Sequence, residues 1–106
     1  MIIVTTNDLP GYRVTSVVGL ARGITVRSRS IVGNIGGAIQ SIFGGNISVY
    51  TNLAEQARSE ALSLLTFDAQ KMGANAIIAM RYDANEIMDG ITEVLAYGTA
   101  VVVEKA

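Results

Sequence analysis

The sequence predicts an α+β fold, with strands gathered into a sheet, one long helix laid on it and a short glycine-rich helix beside them. Three observations carry this. Short β-branched runs such as "IIVTT" and "AVVV" stand near both ends of the chain. Residues 53 to 72 hold apolar side chains at helical spacing. The stretch "IVGNIGGAIQSIFGG" sets isoleucines on one helical side and glycines on the other.

Residues 2 to 6 form the first predicted strand. "NDLPGY" follows, and its Pro-Gly pair suits the two central positions of a type II turn. "YRVTSVVGLARGITVRSR" is rich in β-branched residues and reads as one long strand or two, broken or bulged near Gly19 and Gly23. Ile31, Ile35, Ile39 and Ile42 then form one helical stripe, opposite Gly33, Gly37, Gln40 and Gly44. Ser30 suits the N-cap and Gly44-Gly45 the stop. Interior glycines cost a helix about 1 kcal/mol each relative to alanine, so this helix needs packing on both faces.

The long helix is predicted over about residues 53 to 72, roughly 30 Å at 1.5 Å per residue. Asn52 with Glu55 makes a capping-box-like start, and Gly73 sits where a C-terminal glycine cap belongs. Leu53, Ala57, Ala61, Leu64, Leu65 and Met72 are its apolar positions. "NAIIAMRY" reads as a strand, "DANEIMDGIT" as an acidic connection turning at Gly90, and "EVLAYGTAVVVE" as the last strand. Both strands are apolar on both faces, and one helix covers only one face of a small sheet. The other face must meet another sheet, the short helix or a neighbouring subunit.

Composition points the same way. A chain of 106 residues fits a single domain, residues 1–106. Half its residues are apolar and only 16% are charged, more apolar matter than so small a unit hides alone. A homo-oligomer is expected. The net charge of −1 lacks the basic footprint of a nucleic-acid binder. No run approaches the roughly 20 apolar residues of a membrane span, and no secretory leader is evident, so neither a membrane nor a nucleic-acid partner is expected, and the default location is cytoplasmic. Four arginines stand against one acid up to residue 46, and five acids against Lys105 alone from residue 82. The two ends of the chain can therefore attract each other.

Candidate chemistry is sparse. There is no cysteine and no histidine, hence no thiolate, no imidazole base and no activated serine. The glycines of residues 33 to 45 match neither a P-loop, which needs a lysine, nor the dinucleotide fingerprint, whose spacing they miss. Arg27, Arg29 and Ser30, just ahead of a predicted helix N-terminus, form a candidate anion site. Pairing of the arginines with acids is the plainer reading. Asp83, Glu86, Asp89 and Glu93 are a candidate hard-cation cluster, set against the plainer reading of a solvated acidic turn. Met72, Met80 and Met88 read as packing residues rather than soft-metal ligands.

The order of pieces resembles the YbjQ-like family over nearly the whole chain. The most specific parts are "GLARGITVRSRSIV", "MGANAI" after the helix and "AYGTAV" near the end. The resemblance implies a small bacterial or archaeal protein of a mostly uncharacterised family labelled a putative heavy-metal-binding domain. It implies a curved antiparallel sheet carrying a long helix, assembled as a ring-like homopentamer. It carries over no metal ligand onto any residue of this chain, and any cation would have to be held by carboxylates.

The expectation is therefore a non-enzymatic, homo-oligomeric binding or scaffold protein without cofactor, with Ile35, Gly37, Ile39 and Gly44 as candidate subunit contacts. The alternatives are a carboxylate-based, hard-metal-dependent enzyme and a small-anion-binding protein.

Overall fold

The computed structural model describes residues 1–28 and 48–106. The predicted glycine-rich helix lies outside the described residues. So do Arg29 and Ser30 of the anion site and the candidate contacts Ile35, Gly37, Ile39 and Gly44.

Strand β1 (Ile2–Ile3) is followed by the long strand β2 (Tyr12–Ser28), helix α1 (Ser48–Lys71), β3 (Ala76–Met88) and β4 (Ile91–Lys105). The sheet order is β1-β3-β4-β2. β2 and β3 both run antiparallel to β4, whereas β1 pairs parallel with β3, so the sheet is mixed rather than purely antiparallel. Among the described residues no helix is long and apolar enough to cross a membrane.

The N-terminal segment is tied on by backbone pairing beyond its two-residue strand. Val4 N–H donates to the Ile77 carbonyl at 2.9 Å, and Ala79 N–H to Thr6 at 2.7 Å. The pairing passes a bulge between Ile78 and Arg81, where Ala79 takes φ 54°. The predicted turn closes where Tyr12 N–H donates to the Leu9 carbonyl at 3.0 Å, across Pro10 and Gly11.

β2 is one strand, not two. Its register shifts lie between Val14 and Ser16 and between Val17 and Gly19. Gly23 sits in regular register, and its role is close approach. A Cβ built there would lie 2.3 Å from the Ala61 carbonyl oxygen and 2.3 Å from the Leu65 nitrogen of α1. The helix thus rests its backbone on the strand. Its buried stripe is Ala57, Ala61, Leu65 and Ala69, at steps of four, packed on Ala21, Ile77, Val94, Ala96 and Ala100. Leu64, expected on that stripe, is 40% exposed.

The helix begins at Ser48, about one turn before the predicted start, so Asn52 lies inside it. The added turn, "SVYT", is made of poor helix formers, and propensity alone gives no sign of it. The predicted end is observed. Gly73 takes φ 88°, its N–H donates to Gln70 at 3.0 Å, and Ala74 N–H donates to Ala69 at 3.1 Å. These two bonds are a Schellman motif, and Ala69 and Ala74 both enter the core beside it. Asn75 then extends the ladder with its side chain: its amide donates to the Val103 carbonyl at 2.9 Å and accepts Val103 N–H at 2.8 Å.

The "DANEIMDGIT" connection is not a loop. β3 continues to Met88, β4 starts at Ile91, and Asp89 and Gly90 alone make the turn. Residues 81–88 are exposed throughout, forming an arm beyond the main core. With neither face buried, the arm carries no alternation of apolar and polar residues by which to recognise a strand.

Gly23→Ala should destabilise the protein by about 3 kcal/mol in urea titration, because the helix backbone must lift from the sheet. Ala79→Gly should act oppositely, adding roughly 0.5–1 kcal/mol by relieving a left-handed backbone at a residue with a Cβ.

Candidate functional site

Between the N-terminal half of α1 and the arm lies a cavity of about 400 Å³. Leu53, Ala54 and Ala57 form its helix wall, and Ala84 and Val94 its sheet wall. Small alanines facing each other leave the space open, and most of the surface is apolar. Polar groups enter at Arg27 and Ser28 from the end of β2, at Glu86 from the arm and at Thr92 from the start of β4. A pocket of this size with apolar walls and few polar groups has the build of a small-molecule site.

The two charged groups differ in their surroundings. Arg27 donates to one carboxylate oxygen of Glu60 on α1, and the Thr25 hydroxyl donates to the other at 3.0 Å. Strand alternation places Thr25 and Arg27 on the helix side of β2, within reach of Glu60. The Arg27 guanidinium, and after it the Thr25 hydroxyl, hold the Glu60 carboxyl below the usual glutamate range. Glu86 is hydrogen-bonded to the Gly90 N–H at 3.2 Å and, among the described residues, has no ion pair.

The predicted site residues are therefore dispersed. Of the anion candidates, Arg27 is described, and it is held by Glu60. Of the acidic four, Glu86 lies on the helix face beside Ala84, while Asp83 and Glu93 fall on the opposite face by alternation, and Asp89 is in the turn. Among the described residues no three His, Cys, Asp or Glu side chains gather as a metal-holding group. Met72 and Met80 pack in or against the core, as expected, while Met88 is exposed on the arm. Asp68 carries no sequence signal of its own, yet its carboxylate accepts the Arg22 N–H at 3.0 Å on β2, the edge strand among the described residues. Nor does the cavity, whose walls come from alanines. An end-to-end attraction does exist, in the ion pair of Arg13 with Glu104.

The second face of the sheet is covered over part of its length. Ile2, Leu9, Tyr12 and Ile78 pack on Ala76, Val101 and Val103 there. Beyond them the face is open: Val17 is 69% and Leu20 65% exposed, with Ile24 and Val26 continuing the row. Their cross-strand neighbours Leu95 and Tyr97 are half-buried.

A family model described as "Putative heavy-metal-binding" matches residues 1–104. A UPF0145 protein of Chromobacterium violaceum is 59% identical over 102 residues, covering 96% of this chain and 87% of that protein. One of Burkholderia thailandensis is 60% identical over 100 residues, covering 94% and 90%. In fold, the chain is similar to the crystal structure of a DUF74-family protein of unknown function from Pediococcus pentosaceus, with TM-score 0.65, 18% identity and 98% of each chain covered. The donor set does not fit the family's description. Heavy and borderline metals take thiolate and imidazole, and the chain has neither.

A carboxyl whose folded pKa is depressed adds stability that is present above its unfolded value and lost as pH falls through the folded one. The stability advantage of the wild type over Arg27→Ala should therefore shrink as pH drops from about 6 to about 3, read by urea titration. The NMR titration of Glu60 in Arg27→Ala should move up toward the ordinary glutamate value.

Proposed function

The chain belongs to the YbjQ-like family, and on that premise we propose that it is a non-enzymatic, homo-oligomeric binding protein, assembled as a pentamer. The observation that carries the assembly is the open row Val17, Leu20, Ile24 and Val26 on a sheet face that α1 does not reach. Exposed apolar side chains on one face, here interrupted by Arg22, mark an association site. A second copy covers it, and burial of these side chains contributes roughly 1.5–3 kcal/mol each at full coverage. The binding role rests on the cavity beside Arg27 and Glu86.

The alternatives are less well supported. Anion binding has to compete with Glu60 for Arg27, and a hard-metal enzyme needs carboxylates brought together that strand alternation sends to opposite faces. Nucleophilic chemistry lacks an imidazole or thiol.

Sedimentation velocity tests the assembly. The wild type should run near five times its 11.2 kDa chain mass. Leu20→Glu with Ile24→Glu should shift it to a folded monomer with unchanged circular dichroism. A wild type that stays monomeric at high concentration would overturn the assembly.

A further inference from the structure

We infer that copies of this chain join head to tail, the outer face of α1 on one copy seating on the open sheet row of the next. This rests on the self-association proposed above and adds to it the partner surface and its direction.

Each copy carries two unlike patches that face opposite ways. Among the described residues, the sheet face away from α1 exposes Val17, Leu20, Ile24 and Val26. On the far side, Asn52, Gln56, Ser59, Ser63, Thr66 and Gln70 run along α1 at steps of four and three, opposite its buried stripe. None of the six is ionisable, and exposed Phe67 borders them. Charge keeps to the flanks, with Glu55 and Arg58 on one side and Glu60 and Lys71 on the other. Loss of charge around an exposed aromatic ring is the composition of an interface core.

The two patches match in size. The stripe is about 27 Å long at 1.5 Å per residue, and Val17 to Val26 spans about 30 Å of strand. On the sheet face Arg22 interrupts the row, with Arg81, Asp83 and Glu93 on the neighbouring strands. Hydroxyl and amide oxygens of an uncharged helix face accept from Arg22 without setting a like charge against it. The far end of the same face holds Val14, 40% exposed and paired with Val103. It stands about 46 Å along β2 from Ser28. A chain that leaves Ser28 and returns to Ser48 over residues 29–47 extends about 35 Å out and back at most, so that end needs another cover. Row against row would leave Phe67 uncovered and gather Arg22 of both copies in one patch. Unlike patches on opposite sides join head to tail, a contact that closes into rings.

The chain has no cysteine, so engineered thiols report contacts without background. Val17→Cys and Ser63→Cys, both at exposed positions, are combined in one chain, treated with a short bismaleimide and run on a denaturing gel. The two positions lie on opposite sides of the sheet with α1 between them, so a link joins two copies. The double variant should give a ladder of dimers, trimers and larger species, and each single variant should stay a single chain. Phe67→Ser should weaken association on the order of tenfold in sedimentation on dilution.

Dimers from Val17→Cys alone or from Ser63→Cys alone, as abundant as those of the double variant, would overturn the inference. So would Phe67→Ser copies that associate as the wild type does. NOE contacts within one copy, from the Leu20 or Ile24 methyls to those of residues 31, 35, 39 or 42, would mean that the chain covers its own row, and would overturn it too. Sedimentation of the same samples separates the two readings: a monomer removes the assembly and this inference with it, whereas an oligomer whose double variant fails to link removes the direction alone.

Discussion

The close approach of α1 to β2 at Gly23 is the constraint on which the rest of the molecule depends. Dispersion and apolar burial act at contact distance, and a helix meets a sheet most closely where neither side has bulk. Gly23 removes it from the strand, and the alanines at steps of four remove it from the helix. This contact sets the depth of the helix over the sheet. Depth in turn brings Glu60 to Arg27 and Thr25, and Asp68 to the edge of β2. Leu53, Ala54 and Ala57, one end of the same helix, are thereby held over the root of the arm, where the cavity opens.

The same arrangement explains why the two sheet faces differ. On one, a helix with small side chains makes a dense core. On the other, the segment before Tyr12 covers the end near β1, and beyond it Val17, Leu20, Ile24 and Val26 are exposed among the described residues. Among the described residues, the larger core lies on the helix side of the sheet. That imbalance, more than any cluster of reactive groups, is what the chain presents to its surroundings.

How much of this was legible in the sequence depended on whether burial had left a pattern. The helix end was plain, because a Schellman turn needs a residue like Gly73 and the apolar run stops there. The helix start was misplaced, because "SVYT" is helical through context and the capping-box pattern at Asn52 and Glu55 has no structural role as a start. The arm looks like a connection in sequence, since residues exposed on both faces alternate nothing. Asp89-Gly90 was the available hint, a turn pair that marks hairpins. The strained Ala79 left no trace, alanine being neutral in every pattern. For the site, the sequence marks Arg27 as an anion ligand and Glu86 as a cation ligand, while the structure gives Arg27 to Glu60 and Glu86 to the Gly90 N–H. Their actual surroundings depend on Glu60 and Leu53, which lie far away in sequence and reach the strands only once the helix is seated.

The Asp68 carboxylate on Arg22 N–H has a consequence for growth. Among the described residues β2 is a 17-residue border strand, and an uncovered border of that length invites lateral stacking of copies. An acid clipped onto its middle occupies one main-chain donor and leaves a negative charge in the path of any incoming ribbon. An arriving strand must stop short of it or displace it. The carboxylate thereby guards this point of the strand against edge-to-edge pairing with another ribbon.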